Sequence, residues 1–436
     1  VAEGSSFEGT GKAYKYLFEN GLKLIVLPDD RNPVASLRIT LDAGSNRESP
    51  GRTGLAHFFE HMMFRKTRGR EEGHYDRTLA GVGGNGNAST STDYVTYEAT
   101  FPGPALDTML DLESQRFREL DVQDPFFTTE KGAVLSERKL RYENDPAARG
   151  AEILRRSMEK GSPYEWLTIG TRQDIEGMSL DAARQFYADY YTPDNTIMSI
   201  GGPFRPELVA RKVHERFGSW QGKAKASPTK FPANYATRNI GEEFFCAEAV
   251  FEKRRSLVFP STDASFESSM MTFAFTQLLN DHPDGTLQHR LSREKLATGF
   301  SMYKTNWQKI HQPFVVSFRL TPSQNPQTAE RFFWKAFDEA LKRPVDAGFK
   351  ALLLKQIAVD EADQAMKMTS MLEAYEWNEH FYGDFLISSK SRGIIESVDS
   401  EKLRTFARAA FDRKKMFRHG VVSDGEATLC KRWSGP

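Results

Sequence analysis

Two histidines and a glutamate in Thr53-Gly54-Leu55-Ala56-His57-Phe58-Phe59-Glu60-His61-Met62-Met63-Phe64 have the types and spacing for metal chemistry. Leu55, Phe58, Phe59, Met62 and Met63 recur at helical spacing and predict a core-facing stripe. His57, Glu60, His61 and Phe64 then share the opposite face. Histidines four apart stand one turn above each other, so both rings can approach one zinc ion at about 2.0–2.1 Å. Glu60 lies beside both, placed to take a proton from water.

A zinc site needs a third protein ligand and an open coordination position if it is to be catalytic. Glu130 and Glu137 are the candidates, in the helical segment Thr128-Thr129-Glu130-Lys131-Gly132-Ala133-Val134-Leu135-Ser136-Glu137. Seven residues make nearly two turns, so the two carboxylates face one way. One can bind the ion while the other orients a ligand from behind. Spacing alone leaves that choice open.

The H-x-x-E-H order reverses the commoner H-E-x-x-H and is the inverzincin signature, with the glutamate as general base. With Glu137 eighty residues after His57 (137 − 57 = 80) and Glu130 seven before it, the chain resembles the pitrilysin/insulinase family of zinc peptidases. Its length and two-domain form resemble the mitochondrial-processing-peptidase-like branch. The likeness extends over Asn87-Ala88, Tyr190-Tyr191-Thr192-Pro193-Asp194-Asn195, Gly201-Gly202 and Phe217-Gly218-Ser219-Trp220. It implies His57, His61 and Glu137 as zinc ligands, Glu60 as catalytic base and Glu130 as a catalytic-site carboxylate behind the ligands. It also implies that Asn87 and Ala88 bind substrate along a sheet edge through main-chain hydrogen bonds. The substrate would be a locally unfolded peptide.

The family pairs an Arg with a Tyr seven residues later, facing the zinc from another domain. In Leu291-Ser292-Arg293-Glu294-Lys295-Leu296-Ala297-Thr298-Gly299-Phe300 the Arg is kept and Phe300 stands at the Tyr position. Tyr303 is a poor substitute, because an odd offset along a strand reverses the face. Two-domain members complete a four-domain chamber by pairing, so the resemblance implies a heterodimer. The partner would be a homologous subunit that lacks the zinc motif and carries the Arg–Tyr pair. Two other readings are a non-catalytic scaffold subunit of the same fold and a zinc-dependent peptide-binding module.

These side chains must be positioned by regular elements. Leu22 to Leu27, Val34 to Asp42, Tyr94 to Phe101 and Thr196 to Gly201 read as strands. In Val34 to Leu41 the residues Ala35, Leu37, Ile39 and Leu41 make one apolar face, and Ser36, Arg38 and Thr40 a more polar one. Helical patterns cover residues 53–66, 103–119, 128–143, 146–160 and 179–191. Further on, Ala249 to Phe259 and Phe314 to Leu320 read as strands, and 266–281, 326–342, 346–382 and 399–411 as helices. The fold class is α+β, with two homologous domains. The resemblance makes each a mainly antiparallel sheet packed with helices. The expected boundaries are 1–220 for the zinc-binding domain, 221–238 for a linker without periodicity, and 239–436 for a second, partner-facing domain without metal. Ser179-Leu180-Asp181 and Ser397-Val398-Asp399 each open a helix followed by a short strand, at an offset of 397 − 179 = 218, as a tandem duplication would show.

Composition narrows the alternatives. The 436 residues carry 59 Lys+Arg against 59 Asp+Glu, a net charge of 0, which argues against a general polyanion binder. Residues are 39% hydrophobic and 27% charged, as in globular proteins. No apolar run nears the roughly 18 residues of a membrane span. Cys246 and Cys430 lack CxxC spacing and read as buried thiols. A start at Val1 is what removal of an export signal leaves, so a periplasmic or otherwise exported protein is expected, with cytoplasm or mitochondrial matrix as alternatives.

Gly81-Val82-Gly83-Gly84-Asn85-Gly86 matches G-x-G-x-x-G, but in the wrong context for a dinucleotide, and reads as a turn. Glu376 and His380 are four apart without a third ligand. Lys253-Arg254-Arg255 and Arg413-Lys414-Lys415 read as solvated faces.

Overall fold

The computed structural model describes residues 2–6, 13–227, 230, 242–247, 253–305 and 308–423. Cys430, most of the expected linker (228–229 and 231–238), residues 249–252 and the side chain of Cys246 lie outside them. The chain divides into two compact units, Val1–Arg141 with Glu159–Lys230 and Asp360–Leu386, and Tyr142–Met158 with Phe231–Val359 and Ile387–Pro436.

In the first unit the strands are β1 (Ala2–Ser6), β2 (Tyr14–Leu17), β3 (Lys23–Pro28), β4 (Val34–Leu41), β5 (Asn85–Thr90), β6 (Val95–Pro102) and β7 (Thr196–Gly202). They form one sheet in the order β1-β2-β3-β7-β4-β6-β5. β3 and β7 run parallel, and the other neighbouring pairs are antiparallel. The second unit contains β8 (Glu242–Ala247), β9 (Lys253–Phe259), β10 (Gly299–Lys304), β11 (Phe314–Leu320) and β12 (Phe417–Ser423), ordered β10-β11-β9-β12-β8. Here too one pair is parallel, β12 with β8, and the rest are antiparallel. Thus β10-β11-β9-β12-β8 repeats β5-β6-β4-β7-β3 strand for strand, as expected of two homologous domains. The helix-opening residues are Ser179 and Asp399, whose side chains accept the N–H of Ala182 and Lys402. The repeat offset there is 399 − 179 = 220, two residues more than the sequence match of Ser179 with Ser397.

Secondary structure follows local chemistry. Ser265 caps helix Phe266–Asn280, and Asn325 with Pro326 opens helix Pro326–Ala340. The segment expected as one helix over 346–382 breaks at Lys367, whose extended backbone separates Ala347–Met366 from Met368–Tyr382. The latter belongs to the first unit and packs on β7, β3 and β4. Met371, Leu372 and Tyr375 there join Ile25, Leu27 and Ile197 in an apolar cluster. This helix also covers the polar face of β4: Ser36 and Thr40 are buried, and Arg38 pairs with Glu376 at 2.7 Å.

One basic cluster is not a solvated face. Lys253 and Arg255 point inward from β9, and Arg255 pairs with Glu330 at 2.8 Å while Arg418 reaches the other oxygen at 3.0 Å. The inward alternation of a central strand decided this over charge.

Burial pushes His311 down to about 3 and His419 down to about 4, below the unfolded value near 6.5. The unfolded chain therefore binds more protons, so this stabilisation is complete above about pH 6.5 and is lost as pH falls toward 4. Each histidine adds up to about 1.4 kcal/mol per pH unit to the slope. Melting curves from pH 7 to 4.5 should show a steep loss of stability that the double variant His311→Phe, His419→Met flattens; an unchanged slope would rule these histidines out.

Candidate metal centre

The histidine helix is short, Leu55–Met62, and starts at Gly54 in the left-handed region, φ +94°. Its apolar stripe anchors it: Phe58, Phe59, Met62 and Met63 are fully buried. Phe59 stacks on Phe186 and Tyr187, and Phe58 meets Phe127 edge-on at 5.3 Å. Phe127 opens the second helix of the site, Phe126–Arg138, which carries Glu130 and Glu137. Packing between these aromatic faces brings the two helices side by side.

The His57 and His61 rings stand 4.9 Å apart, centre to centre. Glu137 Oε2 is 3.6 Å from His57 Nε2 and 3.4 Å from His61 Nε2. Ligand atoms at about 2.0–2.1 Å from one tetrahedral ion would stand roughly 3.3 Å apart, so these three donors fit the shell of a single zinc. Among the described residues they are the one group of three or more His, Cys, Asp or Glu that could hold a metal ion. Glu376 and His380 form no such group; Glu376 is taken by Arg38, and His380 packs on Tyr94.

Glu130 sits differently from Glu137. It is buried, its Oε2 lies 3.2 Å from His61 Nδ1, and it is ion-paired with Arg65. Its hydrogen bond raises the His61 pKa against the effect of burial, whereas burial lowers that of His57 against the pull of Glu60 and Glu137. Burial works against charge on Glu130 itself, but His61 and Arg65 outweigh it and hold the carboxyl below its ordinary range. Glu137 turns its other oxygen to Arg141 at 3.0 Å.

Glu60 faces the same space, and Thr90 Oγ1 donates to its Oε2 at 2.5 Å. Thr90 ends β5, which is the free edge of its sheet. The residue pattern assigned no strand there, treating the glycines as a turn, while the resemblance put Asn87 and Ala88 on a sheet edge; the turn is real at Gly83, φ +74°, and the strand begins two residues later. It follows helix His74–Gly81, the reverse of the dinucleotide-binding order. Ser91 N–H donates to Tyr94 C=O at the hairpin, so alternation assigns residues 89, 87 and 85 to bonding with β6. The N–H and C=O groups of Gly86, Ala88 and Thr90 then point to the open edge. Thr90, Arg65 and Arg138 escaped the sequence reading, although counting two from Ala88 would have put Thr90 on the same face.

In the second unit, Phe300 packs against Phe318 at 5.7 Å, on the core side of β10, and Tyr303 is 38% exposed. The alternation keeps Tyr303 off the face of Phe300. Arg293 is half-exposed, 3.6 Å from Asp284.

Residues 24–165 match the family described as Insulinase (Peptidase family M16), and residues 177–348 match the Peptidase M16 inactive domain. The chain is 29% identical over 386 residues to zinc protease PqqE of Helicobacter pylori, covering 87% of this chain and 84% of that one. The crystal structure of a protease from Helicobacter pylori superposes with a TM-score of 0.84 at 20% identity, covering 94% of this chain and 99% of that one. The periplasmic protease PqqL from Escherichia coli superposes at 0.78 and 17% identity, over 98% of this chain and 49% of that one.

Proposed function

The chain belongs to the insulinase family of peptidases, family M16, and from that membership we propose that it is the zinc-bearing subunit of a metalloendopeptidase that hydrolyses unfolded peptides. The convergence of His57 Nε2, His61 Nε2 and Glu137 Oε2 carries this reading. Zinc held there supplies a Lewis acid that acidifies water and polarises a scissile carbonyl. Glu60, off the ligand triangle, takes the proton of the attacking water and passes it to the leaving amine. Thr90 holds the Glu60 carboxylate toward that space. Glu130 accepts from His61 Nδ1, which fixes the tautomer with Nε2 free for the metal.

A peptide adds to the free edge of β5, pairing with the main chain of Ala88, while Asn87 contacts it from the opposite face. An extended peptide alone can do this, so folded proteins are poor substrates. With Phe300 in place of a tyrosine, this chain lacks a hydroxyl that its partner must supply, and the functional unit is a heterodimer with a homologous subunit carrying an Arg–Tyr pair. We place it in the periplasm, the compartment of PqqL.

The test is metal content and peptide turnover of the purified chain, alone and mixed with a homologous subunit carrying the Arg–Tyr pair. About one zinc per chain is expected, with turnover arising only in the mixture. Robust turnover by the chain alone would overturn the pairing, and a chain that binds no zinc would overturn the whole proposal.

A further inference from the structure

The two helices of the metal centre are tied together at one end by a short segment that touches both. Helix Leu55–Met62 has no side-chain cap of its own. Instead the buried Glu48 accepts the N–H groups of Gly54 and Ala56 at 2.9 and 2.8 Å. Thr53 Oγ1 accepts from Thr171 N–H at 2.9 Å and donates to Asp174 at 2.6 Å. Gly170, at φ +79°, lies so close that a Cβ on it would stand 2.5 Å from Gly54 N. The loop backbone therefore rests directly on the start of the histidine helix.

The same segment grips the glutamate helix from its other side. Arg138, buried and next in sequence to Glu137, donates to Gly170 C=O at 2.6 Å. Lys131, almost two turns earlier, donates to the carbonyls of Glu176 and Met178 at 2.5 and 3.2 Å. Two bonds seven residues apart on one helix resist both its rotation and its sliding. Rotation matters most, because a turn of about 10° moves a carboxylate about 6 Å from the axis by roughly 1 Å, enough to spoil the alignment of Glu137 with the histidines.

We propose that residues 169–178 are a brace that sets the spacing of the two ligand-bearing helices, and that Arg138 is a positioning residue that aims Glu137 at the histidine pair. This rests on the zinc reading of the site. Preorganisation of this kind is read in metal affinity, for which loss of an outer hydrogen-bond partner costs about 10- to 100-fold.

The experiment is zinc affinity of the purified full chain by competition with a chromophoric chelator, well below the melting temperature. Arg138→Met should bind zinc up to about 10-fold more weakly, the low end of that range because Arg138 bonds no ligand directly, with Arg138→Lys, which can still donate one bond, recovering part of the loss. Gly170→Ala pushes the loop off Gly54 and shifts the carbonyl that Arg138 reaches, so it should weaken zinc in the same direction. If Arg138→Met does not fold, the Arg138→Lys and Gly170→Ala pair carries the test alone. Wild-type affinity in these folded variants, with only a lowered melting temperature, would reduce Arg138 to a structural role and overturn the brace. Glu137→Gln separates the two levels: undiminished zinc binding there overturns the ligand assignment itself, whereas its loss beside intact binding in Arg138→Met overturns the brace alone.

Discussion

Replacing Glu60 by glutamine lowers peptide hydrolysis by about 10²- to 10⁴-fold, the contribution of a positioned general base, and leaves zinc in place. The two effects separate because Glu60 is not one of the three converging donors. An amide keeps the shape of the carboxylate and can still accept from Thr90 Oγ1, so the local structure persists. It cannot take a proton from water. A fluorogenic peptide assay of the paired enzyme, with zinc measured on the same samples, reads both quantities. Full turnover in Glu60→Gln would remove the base from the mechanism, and loss of zinc would mean that Glu60 serves the metal instead.

The second large effect lies behind the site. Arg116 and Glu113 are fully buried and ion-paired at 2.5 Å. The guanidinium sits among the rings of Tyr75, Tyr97, Phe64 and Phe117, 4.4 to 5.4 Å from their centres. Its two terminal nitrogens have no hydrogen-bond partner among the described residues, so ring faces stand in for acceptors. Burial works against charge on Arg116, but Glu113, Tyr75 and Tyr97 hold its pKa above the ordinary value. Arg116→Met fills much of the same space yet leaves the buried Glu113 carboxylate without its counter-ion, the Tyr75 hydroxyl still donating to it at 3.1 Å, which costs about 3–5 kcal/mol. Denaturant unfolding should show that loss, and Arg116→Met with Glu113→Gln should restore most of it, because no buried charge is left unpaired. A single variant as stable as the wild type would refute the account. Phe64 ends the signature segment, so the same cage steadies the exit of the histidine helix.

The histidine helix was legible in the sequence because its chemistry is local. A period of 3.6 residues places Phe58, Phe59 and Met62 on one side and His57, Glu60 and His61 on the other, whatever surrounds them. Strands β3, β4, β6 and β7 were legible for the same reason, through a period of two and flanking turn residues. β5 was not: Asn85-Gly86-Asn87-Ala88-Ser89-Thr90 has no apolar alternation, because an edge strand with few apolar side chains carries little pattern. Lys253 and Arg255 misled for the opposite reason, since charge suggested solvent while Glu330, seventy-five residues later, provided a buried partner (330 − 255 = 75).

By itself, then, the sequence determined the paired imidazoles, the glutamate between them and the α+β plan, all of which are written in short-range spacing. Residue spacing left open, and tertiary structure decided, that Glu137 stands among the ring nitrogens while Glu130 stands behind His61, as the resemblance implied, that Thr90 reaches Glu60, and that helix Met368–Tyr382 closes the polar face of the first sheet. The reason is physical. Two carboxylates seven residues apart on one helix are equivalent until another helix packs beside them, and that packing depends on apolar contacts such as Phe58 with Phe127, between residues far apart in the chain.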